Sequence, residues 1–370
     1  MKKRDVNVDL IRVLACLIVI GRHINNLTLT TLDHTKIMWG LLFSDGVAFF
    51  FILMGFFLFN NDSYIKVLKK TTKNILLPAL IVLFLSQLFY PWFYEKQSIA
   101  SCFVPANFHL KNFLTSILYG RTELSGATHL WYIHSYFLVV LLFPILKWIC
   151  PGLKNKEANQ KTRNIRYFLI GFALVNMLIN DLHINIPYYV PITDFIPISV
   201  PIVYAITGYT IYKNIERIRR NRKMIILFGA NALIFEGIRY ALHYMQLQKD
   251  ITSAYFLNWS TSFSFIVVAS LIIVLLSIPI PTGRLSKVIH FVGNQTFYIY
   301  LTHFYIALLS QGNTYGRLTS FIVGYTSEAI ANFTFLEECT YLLIRMIPVF
   351  FLSLLLSVIL NKLKDGLQHQ

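Results

Sequence analysis

The chain has 370 residues, of which 56% are hydrophobic and only 14% charged, with a formal net charge of +16 and a mean hydropathy of +0.58. A soluble domain carries about a quarter of its residues as charged side chains, so this composition excludes an ordinary soluble protein. The basic residues lie in short clusters between apolar runs, not along one face, which argues against nucleic acid as a partner and for loops that orient helices in a bilayer.

Ten apolar runs read as membrane helices, each near the roughly 20 residues that cross the hydrocarbon layer. In chain order they fall at about 8–29, 37–60, 74–94, 127–149, 167–183, 194–212, 224–246, 255–281, 289–310 and 340–361. The run at 167–183 is short, and 194–212 contains Pro197 and Pro201. A membrane helix tolerates proline where neighbours or waters satisfy the freed backbone groups. The first run is long, holds Arg22 and His23 and lacks a small-residue cleavage site, so it reads as a retained helix and not a leader. The fold class expected is all-α integral membrane, one domain over residues 1–370. Charge orients it. With both termini in the cytoplasm, the cytoplasmic segments hold 23 of the 33 Lys and Arg, and the outward loops hold six. That asymmetry follows the positive-inside rule and requires an even number of crossings.

Ionisable side chains inside membrane runs are costly and mark functional sites by default. The first run carries Asp9, Arg12, Arg22 and His23. Asp9 and Arg12 stand at i, i+3 and can pair near the cytoplasmic end. Arg12 and His23 are eleven residues apart, about three turns, so they share a helix face roughly 16 Å apart along the axis. A histidine there can serve as general base because its ordinary pKa lies near neutrality, or can be a packed histidine bridging two helices. Lys66, Lys69, Lys70 and Lys73 run into Pro78. They suit the phosphates of an anionic cytoplasmic ligand or lipid headgroups. Further candidates for a substrate cavity are His129, Trp131 and His134 in the fourth run, Glu236 and Arg239 at i, i+3 in the seventh, and Tyr300 and His303 in the ninth. Each of these also has a packing or charge-neutralising explanation. The four cysteines, Cys16, Cys102, Cys150 and Cys339, show no CxxC or CxxH spacing, so no metal site is expected. Cys102 and Cys339 both fall in outward loops, which leaves a disulfide open.

Five segments together resemble the acyltransferase-3 family of bacterial membrane acyltransferases. VNVDLIRVLACLIVIGRH is similar to the family's opening Asp-x-x-Arg with a histidine after ten intervening residues, and DGVAFFFILMGFFLF to its aromatic second-helix motif. KVLKKTTKNILLP resembles the basic lead-in to the third helix, HLWYIHSYFLVVLLFPIL the His-Leu-Trp helix, and GNQTFYIYLTHFYIAL the late Tyr-x-x-His helix. The resemblance runs in family order from residue 6 to about 309. It implies transfer of an acyl group, usually acetyl from cytoplasmic acetyl-CoA, to a hydroxyl of a glycan or lipid-linked saccharide in the bacterial cell membrane. Carried over by residue, it makes His23 the base, Arg12 its partner at the donor site, and Lys69, Lys70 and Lys73 the contacts to the CoA phosphates. Two departures stand out. Met54 occupies a position where many members carry serine, and lysines replace arginines in the basic lead-in. Met54 also leaves room for a second class, a transporter or flippase for a sugar or amino acid on the same scaffold.

Overall fold

In the computed structural model every regular element among the described residues is helical, as the apolar periodicity requires; those residues are 5–24, 34–95, 97–152, 156–181, 199–248, 256, 258–311 and 335–368. Parts of the expected spans (25–29, 182–183, 194–198, 255 and 257) and most of the expected loop 311–339 lie outside them.

The chain forms two compact units, Met1–Asn60 with Ile149–Gln370, and Asn61–Trp148. The larger unit contains α1 (Val6–Ile24), α2 (His34–Leu42), α3 (Gly46–Leu58), α10 (Lys156–Asp181), α11 (Val200–Lys213), α12 (Ile215–Arg220), α13 (Arg222–Gln248), α14 (Ser262–Ser277), α15 (Arg284–Gln311) and α16 (Phe335–Gln368). Its centre is made by close backbone approaches at glycines. A Cβ on Gly55 of α3 would lie 1.9 Å from the Ala205 carbonyl oxygen, and one on Gly208 of α11 would lie 2.0 Å from that of Ile52. Membrane helices associate through such small residues because van der Waals contact, not hydrophobic transfer, holds them together. The same device brings α15 onto α1, where a Cβ on Gly293 would meet Asp9 Cβ at 2.6 Å. Pro201 through Tyr209 of α11 are buried as a continuous stretch, so this helix is surrounded by protein.

The smaller unit contains α4 (Tyr64–Thr71), α5 (Leu77–Leu88), α6 (Tyr90–Phe93), α7 (Leu110–Tyr119), α8 (Trp131–Leu141) and α9 (Phe143–Ile149, whose last residue belongs to the larger unit). A π-helical turn, Thr72–Leu76, joins α4 to α5, and the Leu77 N–H donates to the Thr72 carbonyl. This widened turn sits just ahead of Pro78, which has no N–H and whose ring would crowd the carbonyl one turn back. Tyr64–Leu88 therefore continues as one rod. The fourth expected span instead breaks: Thr128–Leu141 and Phe143–Ile149 meet at 66°. Pro144 disfavours helical backbone at the residue before it, which places the bend beside Phe143.

Four stretches among the described residues are long and apolar enough to cross a bilayer: Ile37–Leu58, Tyr64–Leu88, Arg222–Gln248 and Thr340–Lys362. The broken pair makes up to five. Other expected spans fall short for physical reasons. α1 carries Asp9, Arg12 and Arg22 within 19 residues, α11 has 14 residues, and α14 has 16.

Candidate active site

Helix α1 carries polar groups at both ends. Toward its N-terminus, Arg12 Nη1 donates to Asp9 Oδ1 at 3.1 Å, the i, i+3 pair the spacing predicts. The other carboxylate oxygen accepts from His290 Nδ1 of α15 at 2.7 Å. Asp9 is fully buried while Arg12 and His290 remain partly exposed, so one carboxylate orients two side chains that still reach solvent. A carboxylate can only accept, so His290 Nδ1 carries the proton. The Arg12 guanidinium also lies 5.0 Å above the Phe57 ring. Close by, Asp5 pairs with Arg219 at 2.7 Å, and the Asn7 amide donates to the carbonyls of Leu275 and Ile278, both at 2.7 Å. His290 was not among the sequence candidates. Its partner lies 281 positions away, and nothing in the local pattern marks it.

At the other end of α1, His23 meets the late Tyr-x-x-His segment of α15. The His23 and His303 rings are 5.2 Å apart, Phe304 closes on His23 edge-on at 5.0 Å, and Tyr300 lies 5.8 Å from His303. His303 is buried, and its Nδ1 stands 2.7 Å from the Tyr300 carbonyl and 3.2 Å from that of Ile299. Carbonyl oxygens only accept, so Nδ1 bears the hydrogen and Nε2 holds the lone pair. Sequence reasoning named His23, Tyr300 and His303 separately, and the fold brings the three together.

Beside them, Glu236 and Arg239 of α13 form the expected pair at 2.9 Å, within a larger network. Arg239, 0% exposed, uses all five of its N–H donors. Nη1 donates to Asp45 Oδ2 (2.7 Å) and Glu236 Oε2 (2.9 Å), Nη2 to Ser44 Oγ (2.9 Å) and Asp45 Oδ1 (3.3 Å), and Nε to the Phe256 carbonyl (3.1 Å). Ser264 Oγ of α14 donates to Asp45 as well, at 2.7 Å. Asp45 occupies the N-cap of α3, where an aspartate normally accepts from the first-turn amides. Here its side chain makes no capping bond, and the carboxylate is turned to Arg239. Arg22, the neighbour of His23, lies within electrostatic reach of Asp45, which links this network to the histidine pair. Neither Ser44 nor Asp45 was among the sequence candidates, and the arginine they meet lies 194 or more positions away.

In the smaller unit, Lys66, Lys69, Lys70 and Lys73 are all exposed, at helical spacing on one side of α4 and the π-turn. Their ammonium groups make no ion pair among the described residues. His129 is buried and Trp131 half-buried. His134 Nε2 stands 3.0 Å from the Ile117 carbonyl and borders an apolar cavity of about 150 Å³ lined by Leu76, Ala79, Leu83 and Ile133. Cys102 is a buried free thiol, and the Cys339 side chain lies outside what is described. No group of His, Cys, Asp and Glu among the described residues could hold a metal ion.

No curated protein and no solved structure matches the chain. A family model described as an acyltransferase domain matches residues 5–362, which takes in α1, the lysine face, the Arg239 network and the histidine pair. The protein thus belongs to the acyltransferase-3 family of membrane acyltransferases.

Proposed function

We propose that the protein transfers an acyl group, acetyl, from cytoplasmic acetyl-CoA to a hydroxyl of a capsular, exopolysaccharide or cell-wall sugar, with His23 as general base. The observation that carries this reading is the packing of the half-buried His23 against the buried His303, in a chain matched to the family almost end to end. Such a setting holds an imidazole in place and limits competing water. His23 takes the proton of the acceptor hydroxyl as its oxygen attacks the thioester carbonyl carbon. The tetrahedral intermediate then expels CoA thiolate, which recovers the proton, and the ester remains on the sugar.

The vectorial arrangement belongs to the same proposal. Ten crossings in the bacterial cytoplasmic membrane, with both termini inside, put the lysine face of α4 on the cytoplasmic side, where Lys69, Lys70 and Lys73 meet the CoA phosphates. Arg12 marks the donor end of α1. His23 lies about 16 Å farther along the helix, a separation that an extended thioester arm can bridge. The acceptor, a glycan or lipid-linked saccharide, then approaches from the outer end.

Purified protein in lipid nanodiscs, given acetyl-CoA labelled in the acetyl group and a glycan acceptor, transfers label, and His23→Ala does not. Equal transfer by that variant removes His23 as the base. Solute uptake by proteoliposomes without acetyl-CoA, and without label transfer, replaces the enzyme by a transporter.

A further inference from the structure

Away from the histidine pair, α10, α11, α12, α13 and α14 enclose a crevice of about 370 Å³, within the range of ligand sites. Its lining is graded along the helix axes. Asn214 and Asn221 flank α12 and Arg217 lies within it, whereas Met224, Phe228 and Ile273 supply apolar surface, and Tyr167 and Thr210 add hydroxyls. Phe228 follows Asn221 by seven residues on α13 and so lies about 10 Å deeper. The end beside α12 is polar and cationic, and the wall along Met224, Phe228 and Ile273 is apolar.

Helix α12 explains the gradient. It reads IERIRR, with Ile215 and Ile218 buried and Glu216, Arg217 and Arg220 exposed. A short amphipathic helix of this kind suits the plane of the headgroups. Residues 213–223 carry six basic side chains and one acidic, so this edge attracts anions. Arg219 is committed to Asp5 and to the Leu276 carbonyl, while Arg217 makes no ion pair among the described residues. The two asparagines are oriented as donors. Asn214 gives one amide hydrogen to the Thr210 carbonyl at 2.8 Å and keeps a second. Asn221 Oδ1 accepts from the Met224 N–H at 3.3 Å, which leaves its NH₂ group to donate.

We propose that this crevice binds an anionic phospholipid. Its phosphate meets Arg217 and the amides of Asn214 and Asn221, and one acyl chain runs along Met224, Phe228 and Ile273. A free phosphate would use the shallow end alone and leave the apolar end uncovered. A choline headgroup would bring positive charge against the basic segment. Only an anionic lipid satisfies both ends.

The test uses the full-length protein in detergent, stripped of lipid, with binding read by native mass spectrometry and by thermal shift. Phosphatidylglycerol binds and raises the unfolding midpoint, whereas phosphatidylcholine binds about tenfold more weakly, as does phosphatidylglycerol to Arg217→Gln, the loss of one charge-assisted contact. Ile273→Trp, which fills the deep end, also weakens the lipid. Two variants on different helices keep the test standing if one folds poorly. Equal binding of the two lipids, or undiminished binding by both variants, overturns the proposal. An equal midpoint shift from soluble glycerol phosphate overturns the lipid assignment and leaves a simple anion site.

Discussion

Replacing Asp45 tests whether the Arg239 network anchors the larger unit. Asp45→Leu removes the acceptors of two of the five Arg239 donors and the acceptor that Ser264 uses. The guanidinium stays fully buried, with Glu236 as its remaining carboxylate at 2.9 Å. Deleting one partner of a buried ion pair costs about 3–5 kcal/mol. Because Glu236 still neutralises the charge, the loss is expected at the lower end, about 3 kcal/mol. Asp45→Leu/Arg239→Met removes the stranded cation along with its partner, and apolar replacement of a buried pair is often close to neutral. The double variant therefore recovers more than half of the loss, and the cycle gives a coupling of about 1.5 kcal/mol or more. Equilibrium unfolding in mixed micelles, followed by tryptophan fluorescence, measures all four proteins. Ordinary polar contacts between membrane helices average about 0.6 kcal/mol. A single-variant loss of that size, with additive behaviour in the cycle, would refute the anchor.

Other expectations follow from separate parts of the molecule. His23→Ala lowers acyl transfer about 100-fold or more, the usual contribution of a positioned base, with unfolding midpoint and acetyl-CoA binding retained. Gly208→Ala drives a Cβ to within 2.0 Å of the Ile52 carbonyl oxygen; the strain costs about 1–3 kcal/mol and shows as a lower unfolding midpoint. Lys69→Gln/Lys70→Gln/Lys73→Gln raises KM for acetyl-CoA with little change in kcat, and the wild-type KM rises with salt while that of the variant stays nearly flat. Asp9→Asn leaves the charge of Arg12 and the hydrogen bond of His290 without their carboxylate, so KM for acetyl-CoA rises while the rate at saturation holds.

Which contacts were legible depended on chain distance. Asp9–Arg12 and Glu236–Arg239 could be read directly because i, i+3 positions on a helix are neighbours whatever surrounds them. The lysine face was legible for the same reason, as was the shared stripe of Arg12 and His23. Asp45 and His290 were not. Their partners lie 194 and 281 positions away, and only the packing of α13 against α2 and α14, and of α15 against α1, brings them within reach. Gly293 permits the second of these approaches, yet a glycine in an apolar run does not reveal which helix comes close. The meeting of His23 and His303 has the same origin: both were named from motifs, and their contact required the tertiary fold.

Hydropathy and chemistry also mark different helices, and the reason is physical. A helix facing lipid must be apolar over most of its surface, and Thr340–Lys362, about a third buried, has the highest mean hydropathy of the four long apolar stretches, 2.5. Helix α1 is enclosed by α3, α15 and α16, so it can hold Asp9, Arg12 and Arg22, and those charges remove it from a hydropathy count. Helix α13 joins the two regimes. Only 11% of its apolar stretch is buried, yet its buried residues, Ala232, Arg239, His243 and Leu247, recur every four or seven positions. That narrow stripe turns the most exposed of the long apolar helices into the carrier of the most buried arginine. A charge within an apolar run therefore points to the face that meets protein, whereas apolar length alone does not mark exposure: Ile37–Leu58 has a mean hydropathy of 2.2 and is 78% buried.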